Sequence, residues 1–471
     1  MTSFPSVPTF DAVRRWYAAG ADMEEGLAEL ARRIRRESAP GVWISLVSEQ
    51  DVRARARLLK EKSASLDAPD LAERYPLFGI PFAVKDNMDV AGMETTAACP
   101  AYSYKAEKTA FVVQKLLDAG AVLMGKTNLD QFATGLVGVR SPYGACPCSF
   151  NAAYISGGSS SGSAHAVARG LVSFSLGTDT AGSIRVPAAL NNLIGLKPSR
   201  GLLSSSGVVP ACPSLDCVSI LALTSEDAAD VFRTADAPDP DDIWSRTVPK
   251  RTSVEKTGPF TFGIPDTLDF LGNTAWEKAW EKAVEDMCAI GGRCMTIRYA
   301  PYKEAADMLY FGPYMAERTA VLGDFIRSHA EDCVPVVRDI ILGAGRWSAE
   351  ETFRTLYRAR ELRRMTTADF EHMDLLLLPT VPTTYTIEEV RRDPMTTNVN
   401  MSRYTNFMNI LDLCAVSVPA AIARMPGTHA DLPFGVTMAA PAFSEKSLLS
   451  LASRLHTFVQ KRGLPLGACL Q

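Results

Sequence analysis

Apolar residues recur at three- and four-residue steps over positions 11–36, through Val13, Trp16 and Tyr17 and then Met23, Leu27, Leu30 and Ile34. That period predicts helix, interrupted at Gly20. A charged helix is expected at 49–62. The run LFGIPFAV at 77–84 has no polar break and reads as a buried strand that delivers Lys85 at its end. Residues 111–118 return to helical period, Gly120 stops them, and 121–124 form a short apolar strand. Further strands are expected at 171–176, 262–265, 294–297, 375–378, 416–418 and 434–438, with helices at 275–290, 302–329 and 446–461. This alternation predicts an α/β fold in which one large mixed sheet is covered by helices on both sides. Residues 298–373 form a mainly helical flank, and 237–259 is the candidate surface crossing between halves.

Composition narrows the class. With 471 residues, 47% of them hydrophobic, the chain can bury a large core, which excludes disordered and collagen-like proteins. A net charge of −4 argues against a phosphate-tracking surface, so no nucleic-acid partner is expected. No apolar run approaches a membrane span, and residues 1–11 lack a basic start and an apolar signal core. The expectation is a cytoplasmic protein without a membrane partner. Ten cysteines run from Cys99 to Cys469 with no C-x-x-C pair, so reduced thiols are expected and no metal site. The five histidines are His165, His329, His372, His429 and His456.

Chemistry concentrates at 156–187. SGGSSSGSAHAVARG is too rich in glycine and serine for a routine helix until its second half. A Gly/Ser loop entering a helix offers free N–H groups and hydroxyls. A flexible linker fits poorly, because a helix and an apolar strand follow directly. A phosphate loop lacks its G-x-x-x-x-G-K-[ST] string. Next comes GTDTAGSIR at 177–185, whose small residues let N–H groups around Thr180, Ala181, Gly182 and Ser183 converge beside the serine oxygen as an oxyanion hole. It is not a G-x-S-x-G elbow, and the nearest histidine, His165, reads as a helix-face or packing residue. Another group must take the serine proton.

GGSSSGS followed by GTDTAGSIRVPA, with GIPFAVKDN upstream, resembles the amidase signature family. The resemblance covers nearly the whole chain and implies an N-terminal helical segment at 1–65 and an amidase signature domain at 66–471. It implies that Lys85 is the catalytic lysine, Ser159 the bridging serine held by a cis peptide bond, and Ser183 the nucleophile. It also implies a structural ion pair between Asp179 and Arg185. The chemistry is coherent, since a lysine can act as base only when burial keeps it neutral. The competing reading of Lys85 is a buried salt bridge with Asp86 or Asp179, and that of Ser159 a helix N-cap.

Within the family, NLDQFATGLVGVRSPYG at 128–144 and GLKPSRGLLSSSGVVPACPSLDCVS at 195–219 are similar to allophanate hydrolases, and YFGPYMAER at 310–318 is similar to their substrate-gripping segment. The resemblance implies that Tyr310 and Arg318 hold a small anionic amide, with Thr134 and Gly135 also at the substrate. An arginine fork suits a carboxylate. Ile184 after the nucleophile follows the general amidase pattern, and the chain ends without the carboxy-terminal domain of many allophanate hydrolases. The resemblance implies no metal or organic cofactor, allows a homodimer, and links the chain to urea carboxylase or a biuret-producing pathway. A general small-amide amidase and an amidotransferase A-type subunit needing a partner are the alternatives.

Overall fold

The computed structural model describes residues 3–249 and 257–468. Its strands are β1 (Trp43–Leu46), β2 (Pro81–Lys85), β3 (Glu94–Thr95), β4 (Tyr104–Lys105), β5 (Val122–Thr127), β6 (Phe174–Asp179), β7 (Ile194–Lys197), β8 (Cys217–Ala222), β9 (Phe260–Pro265), β10 (Gly292–Ile297), β11 (Leu375–Pro379), β12 (Leu413–Arg424) and β13 (Asp431–Pro441). Eleven of them make one sheet in the order β1-β5-β2-β6-β8-β7-β12-β13-β11-β9-β10, and β3 and β4 pair separately. The sheet is mixed. β2 is parallel to both neighbours, β5 and β6, and β9 is parallel to β10 and β11, while the strands between β6 and β11 pair antiparallel.

Both faces of the sheet are buried, and the alternation along the strands shows it. Leu375 and Leu377 of β11 pack into one apolar cluster with Val416, Val418 and Met438, while Leu376 and Leu378 pack into another with Leu413, Ala415 and Ala439. Helices supply the other side of each cluster. Residues of Phe10–Ala18, Ser225–Ala235, Thr274–Ala289 and Glu445–Gln460 join the first, and residues of Ala300–Tyr310, Ala349–Asp369 and Phe407–Ile410 join the second. This is why a strand such as β11 is apolar at every position rather than at alternate ones.

The structure moves several expected boundaries. β2 begins at Pro81 rather than 77, because Gly79 turns at φ 69°, where an added Cβ would meet the Tyr17 ring. The helix expected over 302–329 is two helices, Ala300–Tyr310 and Ala316–Ser328, separated by a 3₁₀ turn at Pro313–Met315. Gly312 is extended and Pro313 has no N–H to donate, so the helix cannot run through. β1, β7 and β8 carry no expectation from the sequence; β1 lies between N-terminal helices and forms a sheet edge against β5. Of the candidate crossing at 237–259, residues 250–256 lie outside the described residues. Among the described residues no helix is long and apolar enough to cross a membrane.

The topology also places the chemistry. β2 and β6 run parallel side by side, so their carboxyl ends open at the same edge of the sheet, where α/β proteins put their ligands. β2 ends at Lys85 and β6 at Asp179.

Candidate active site

Lys85 is fully buried, and its Nζ lies 2.7 Å from Ser159 Oγ and 2.7 Å from Thr178 Oγ1. No carboxylate lies within ion-pair distance of it among the described residues, and the two candidates are otherwise engaged. Asp86 pairs with Lys126 at 3.1 Å and Asp179 with Arg185 at 2.7 Å. Burial therefore dominates and pulls the Lys85 amine down to about 7, against the opposing pull of Asp130, Asp216 and Asp179. The salt-bridge reading of Lys85 is thereby excluded.

Ser159 follows a cis peptide bond from Gly158. Its loop lies against Asp130. A Cβ on Gly158 would stand 2.1 Å from Asp130 Oδ2, and the Asp130 N–H donates to the Ser159 carbonyl at 3.2 Å. The Asp130 carboxylate accepts in turn from the N–H groups of Val137, Gly138 and Arg140, so this residue joins two loops, one through its main chain and one through its side chain. The helix Ser161–Ala168 starts after Ser159, and no side chain caps it. Ser159 is thus not its N-cap.

Ser183 sits in a turn built around Asp179. The carboxylate accepts from Gly182 N–H at 2.9 Å and Ile184 N–H at 3.2 Å, and Arg185 grips it with Nε at 2.9 Å and Nη2 at 2.7 Å. Burial would raise this carboxyl, and Arg185 outweighs it, holding Asp179 below the usual carboxylate range. Arg185 also donates to the Thr405 carbonyl, Thr405 Oγ1 to the Ala181 carbonyl, and Asn409 Nδ2 to the Asp179 carbonyl. Gly182 turns at φ 126° with no room for a Cβ, which would stand 2.4 Å from Thr405 Oγ1. The Ser160 N–H donates to the Ser183 carbonyl at 3.2 Å, so the two serine loops adjoin. One part of the expected oxyanion hole changes: the Gly182 N–H is engaged by Asp179, which leaves the amides of Thr180, Ala181 and Ser183 for that role.

Arg318 is buried. Its Nη1 donates to Thr134 Oγ1 at 2.6 Å and the Ala133 carbonyl at 3.4 Å, and its charge acts on the nearby Cys212 thiol, which donates to the Tyr314 carbonyl at 3.8 Å. Burial pushes that thiol up to about 12, so it stays neutral. The Arg318 Nε has no partner, and among the described residues no carboxylate pairs with this guanidinium. The Tyr310 phenol is pushed up by burial, against the opposing charges of Arg318 and Arg140. Tyr310 lines a cavity of about 530 Å³ with Met315, Trp347 and Asn398. Gly135 packs against Asp130 and the Arg140 stem, where a Cβ would stand 2.6 and 3.0 Å from them.

Residues 28–449 match the family model described as Amidase. The chain belongs to the amidase signature family. This amidase is 44% identical over 415 residues to the urea amidolyase of Saccharomyces cerevisiae, covering 88% of the chain but 22% of that relative's length. It is 33% identical over 428 residues to the A-type subunit of the glutamyl-tRNA(Gln) amidotransferase of Lacticaseibacillus paracasei, covering 84% and 86%. Among solved structures it is similar to the Kluyveromyces lactis allophanate hydrolase, with a TM-score of 0.88 and 40% identity over 96% of this chain and 72% of that one. The amidase is therefore a hydrolase of this family, related to allophanate hydrolase.

His165 is not part of the site. It is buried, its Nδ1 lies 2.9 Å from the Pro147 carbonyl, and burial pulls it down to about 4. The sequence reading missed Thr178, Asp130, Cys212 and Arg140. Asp130 had a visible signal, a lone acid among NLDQFATG; Thr178 stands one residue before Asp179, inside the quoted motif.

Asp179→Asn keeps the shape and removes the charge that Arg185 faces, so it is expected to cost about 3–5 kcal/mol, the penalty of an uncompensated buried partner. Denaturant unfolding checks this, and a loss under about 1 kcal/mol would show that the turn does not depend on the pair.

Proposed function

We propose that this amidase hydrolyses the amide of allophanate, a small carboxylated urea, and releases ammonia through an acyl-enzyme on Ser183. The observation that carries the reading is Arg318, a buried guanidinium held by a hydroxyl and a carbonyl, with its Nε unpartnered and, among the described residues, no carboxylate at ion-pair distance. Burying a cation without a counter-ion is costly, and a substrate carboxylate relieves that cost. The relationship to the allophanate hydrolase of K. lactis supports the same substrate.

In this mechanism Ser183 Oγ attacks the amide carbonyl, its proton passing through Ser159 to the neutral amine of Lys85. The amides of Thr180, Ala181 and Ser183 receive the oxyanion. The C–N bond breaks, and ammonia leaves with the proton returned through Ser159. Water then attacks the acyl-enzyme by the same relay, freeing Ser183 and a dicarboxylated amine that loses carbon dioxide. Arg318 and Tyr310 hold the distal carboxylate throughout, beside Thr134 and Gly135. Its substrate would come from an activity that carboxylates urea or cleaves biuret.

Ammonia release from allophanate by the purified chain tests the reaction directly. Ser183→Ala is expected to abolish it while thermal unfolding stays unchanged; retention of about a tenth of the rate would remove Ser183 as nucleophile.

The free amine of Lys85 is the base, and it is protonated below about 7. kcat/KM is therefore expected to rise as pH climbs through about 7 and then level off. A profile flat from pH about 5 to 9 would remove Lys85 from proton transfer.

Arg318→Ala is expected to lower kcat/KM on allophanate or malonamate by about 10- to 200-fold, the worth of a charge-assisted hydrogen bond, and on butyramide far less. Equal losses on anionic and neutral amides would favour a general amidase.

A further inference from the structure

We infer that Arg140 is a positioning residue for anion selectivity, fixing from behind the loop against which Arg318 rests. The inference builds on the proposed anionic substrate and concerns a residue that does not touch it.

Arg140 is buried, with 2% of its surface exposed, and among the described residues no carboxylate pairs with its guanidinium. From Arg140, Asp130 accepts the main-chain N–H and not the guanidinium. The guanidinium instead spans two loops. Nη1 donates to the Thr134 carbonyl at 3.0 Å and Nη2 to the Pro394 carbonyl at 2.5 Å, while Nε has no partner. Thr134 is therefore held from two sides, its carbonyl by Arg140 and its hydroxyl by Arg318 at 2.6 Å.

The second loop leads to the other grip residue. Four residues after Pro394, Asn398 accepts the Leu136 N–H at 2.8 Å and lines one cavity with Tyr310. Arg140 thus ties the segment that holds Arg318 to the segment that forms the cavity wall beside Tyr310. Gly135 lets the chain lie directly on the Arg140 stem. A buried cation held by two carbonyls contributes little to stability, because an apolar side chain of the same length would avoid its desolvation. Its geometry makes sense as a brace: it fixes the height of Thr134 Oγ1, and with it the angle at which the free Arg318 edge meets a carboxylate. Guanidinium–carboxylate recognition depends on that angle.

The experiment measures kcat and KM on malonamate and on butyramide for Arg140→Met, Arg140→Lys, Thr134→Val and Arg318→Ala in the full chain. Arg140→Met is expected to raise KM for malonamate by about tenfold or more, and the loss in kcat/KM on butyramide is expected to be several times smaller. Arg140→Lys, which keeps the charge and reaches one carbonyl, is expected to recover part of the loss. In the Thr134→Val background Arg140→Met is expected to add less than about twofold, because both changes act through one hydroxyl. Equal losses on both amides, no recovery with lysine, or full additivity with Thr134→Val would each overturn the inference. Should Arg140→Met not fold, Arg140→Lys and Thr134→Val decide by the same substrate comparison. If Arg318→Ala itself fails to discriminate between the amides, the anionic-substrate reading falls; if it discriminates and the Arg140 variants do not, only the role of Arg140 falls.

Discussion

The amine of Lys85 is buried at the end of a central strand with two hydroxyls beside it and no counter-ion. Much of the surrounding electrostatic arrangement is explained by that requirement. A carboxylate at ion-pair distance would hold the proton and leave no base, so each nearby acid is occupied elsewhere: Asp86 by Lys126, Asp179 by Arg185, and Asp130 by three main-chain N–H groups. Asp216 is likewise engaged, accepting from the Thr180 hydroxyl and the N–H groups of Ala211 and Cys212. The same acids remain close enough to oppose the effect of burial, which keeps the amine at about 7 rather than lower still.

Arg318 shows the converse arrangement. There a cation is kept without an acid at ion-pair distance, and the nearby Cys212 thiol is too strongly buried to ionise. At both ends of the site a buried cation is thus kept clear of an ion-pairing carboxylate, Lys85 where a proton is to be received and Arg318 where the proposed substrate carboxylate is. Stability is supplied elsewhere, in the doubly covered sheet and in well-paired groups such as Asp412, which accepts from Arg200, Arg246 and Arg363.

The fold was legible where the pattern was long and unambiguous. β11, apolar along its whole length, and the helices with three- and four-residue period stand close to where the periodicity puts them, because tertiary packing and local preference agree there, whereas β6, which carries Ser175, Thr178 and Asp179, begins three residues later than the apolar run suggested. The break at Gly312–Pro313 was visible as a string, but its outcome, a 3₁₀ turn between two helices, depends on what the second helix packs against. Lys85 and Ser159 were legible together through the resemblance of GIPFAVKDN and GGSSSGS to the amidase signature family; that they meet at 2.7 Å was not. Arg140 was beyond reach, since in the sequence it is one arginine after a glycine-rich stretch, and its meaning lies in two carbonyls, one six residues away along the chain and the other 254.

The clamp on the nucleophile turn has a consequence for how the chain is made. Arg185 donates to the Thr405 carbonyl, and the Ala181 and Asp179 carbonyls accept from Thr405 and Asn409, across 220, 224 and 230 residues. Contacts of such separation close late, because the loop entropy must be met before they form. During synthesis the first half of the sheet can assemble around β2 and β6 while the serine turn still lacks its outer support. An unfinished chain would therefore hold the lysine in place before it holds the serine, and hydrolytic competence would arrive as one late event rather than grow with length.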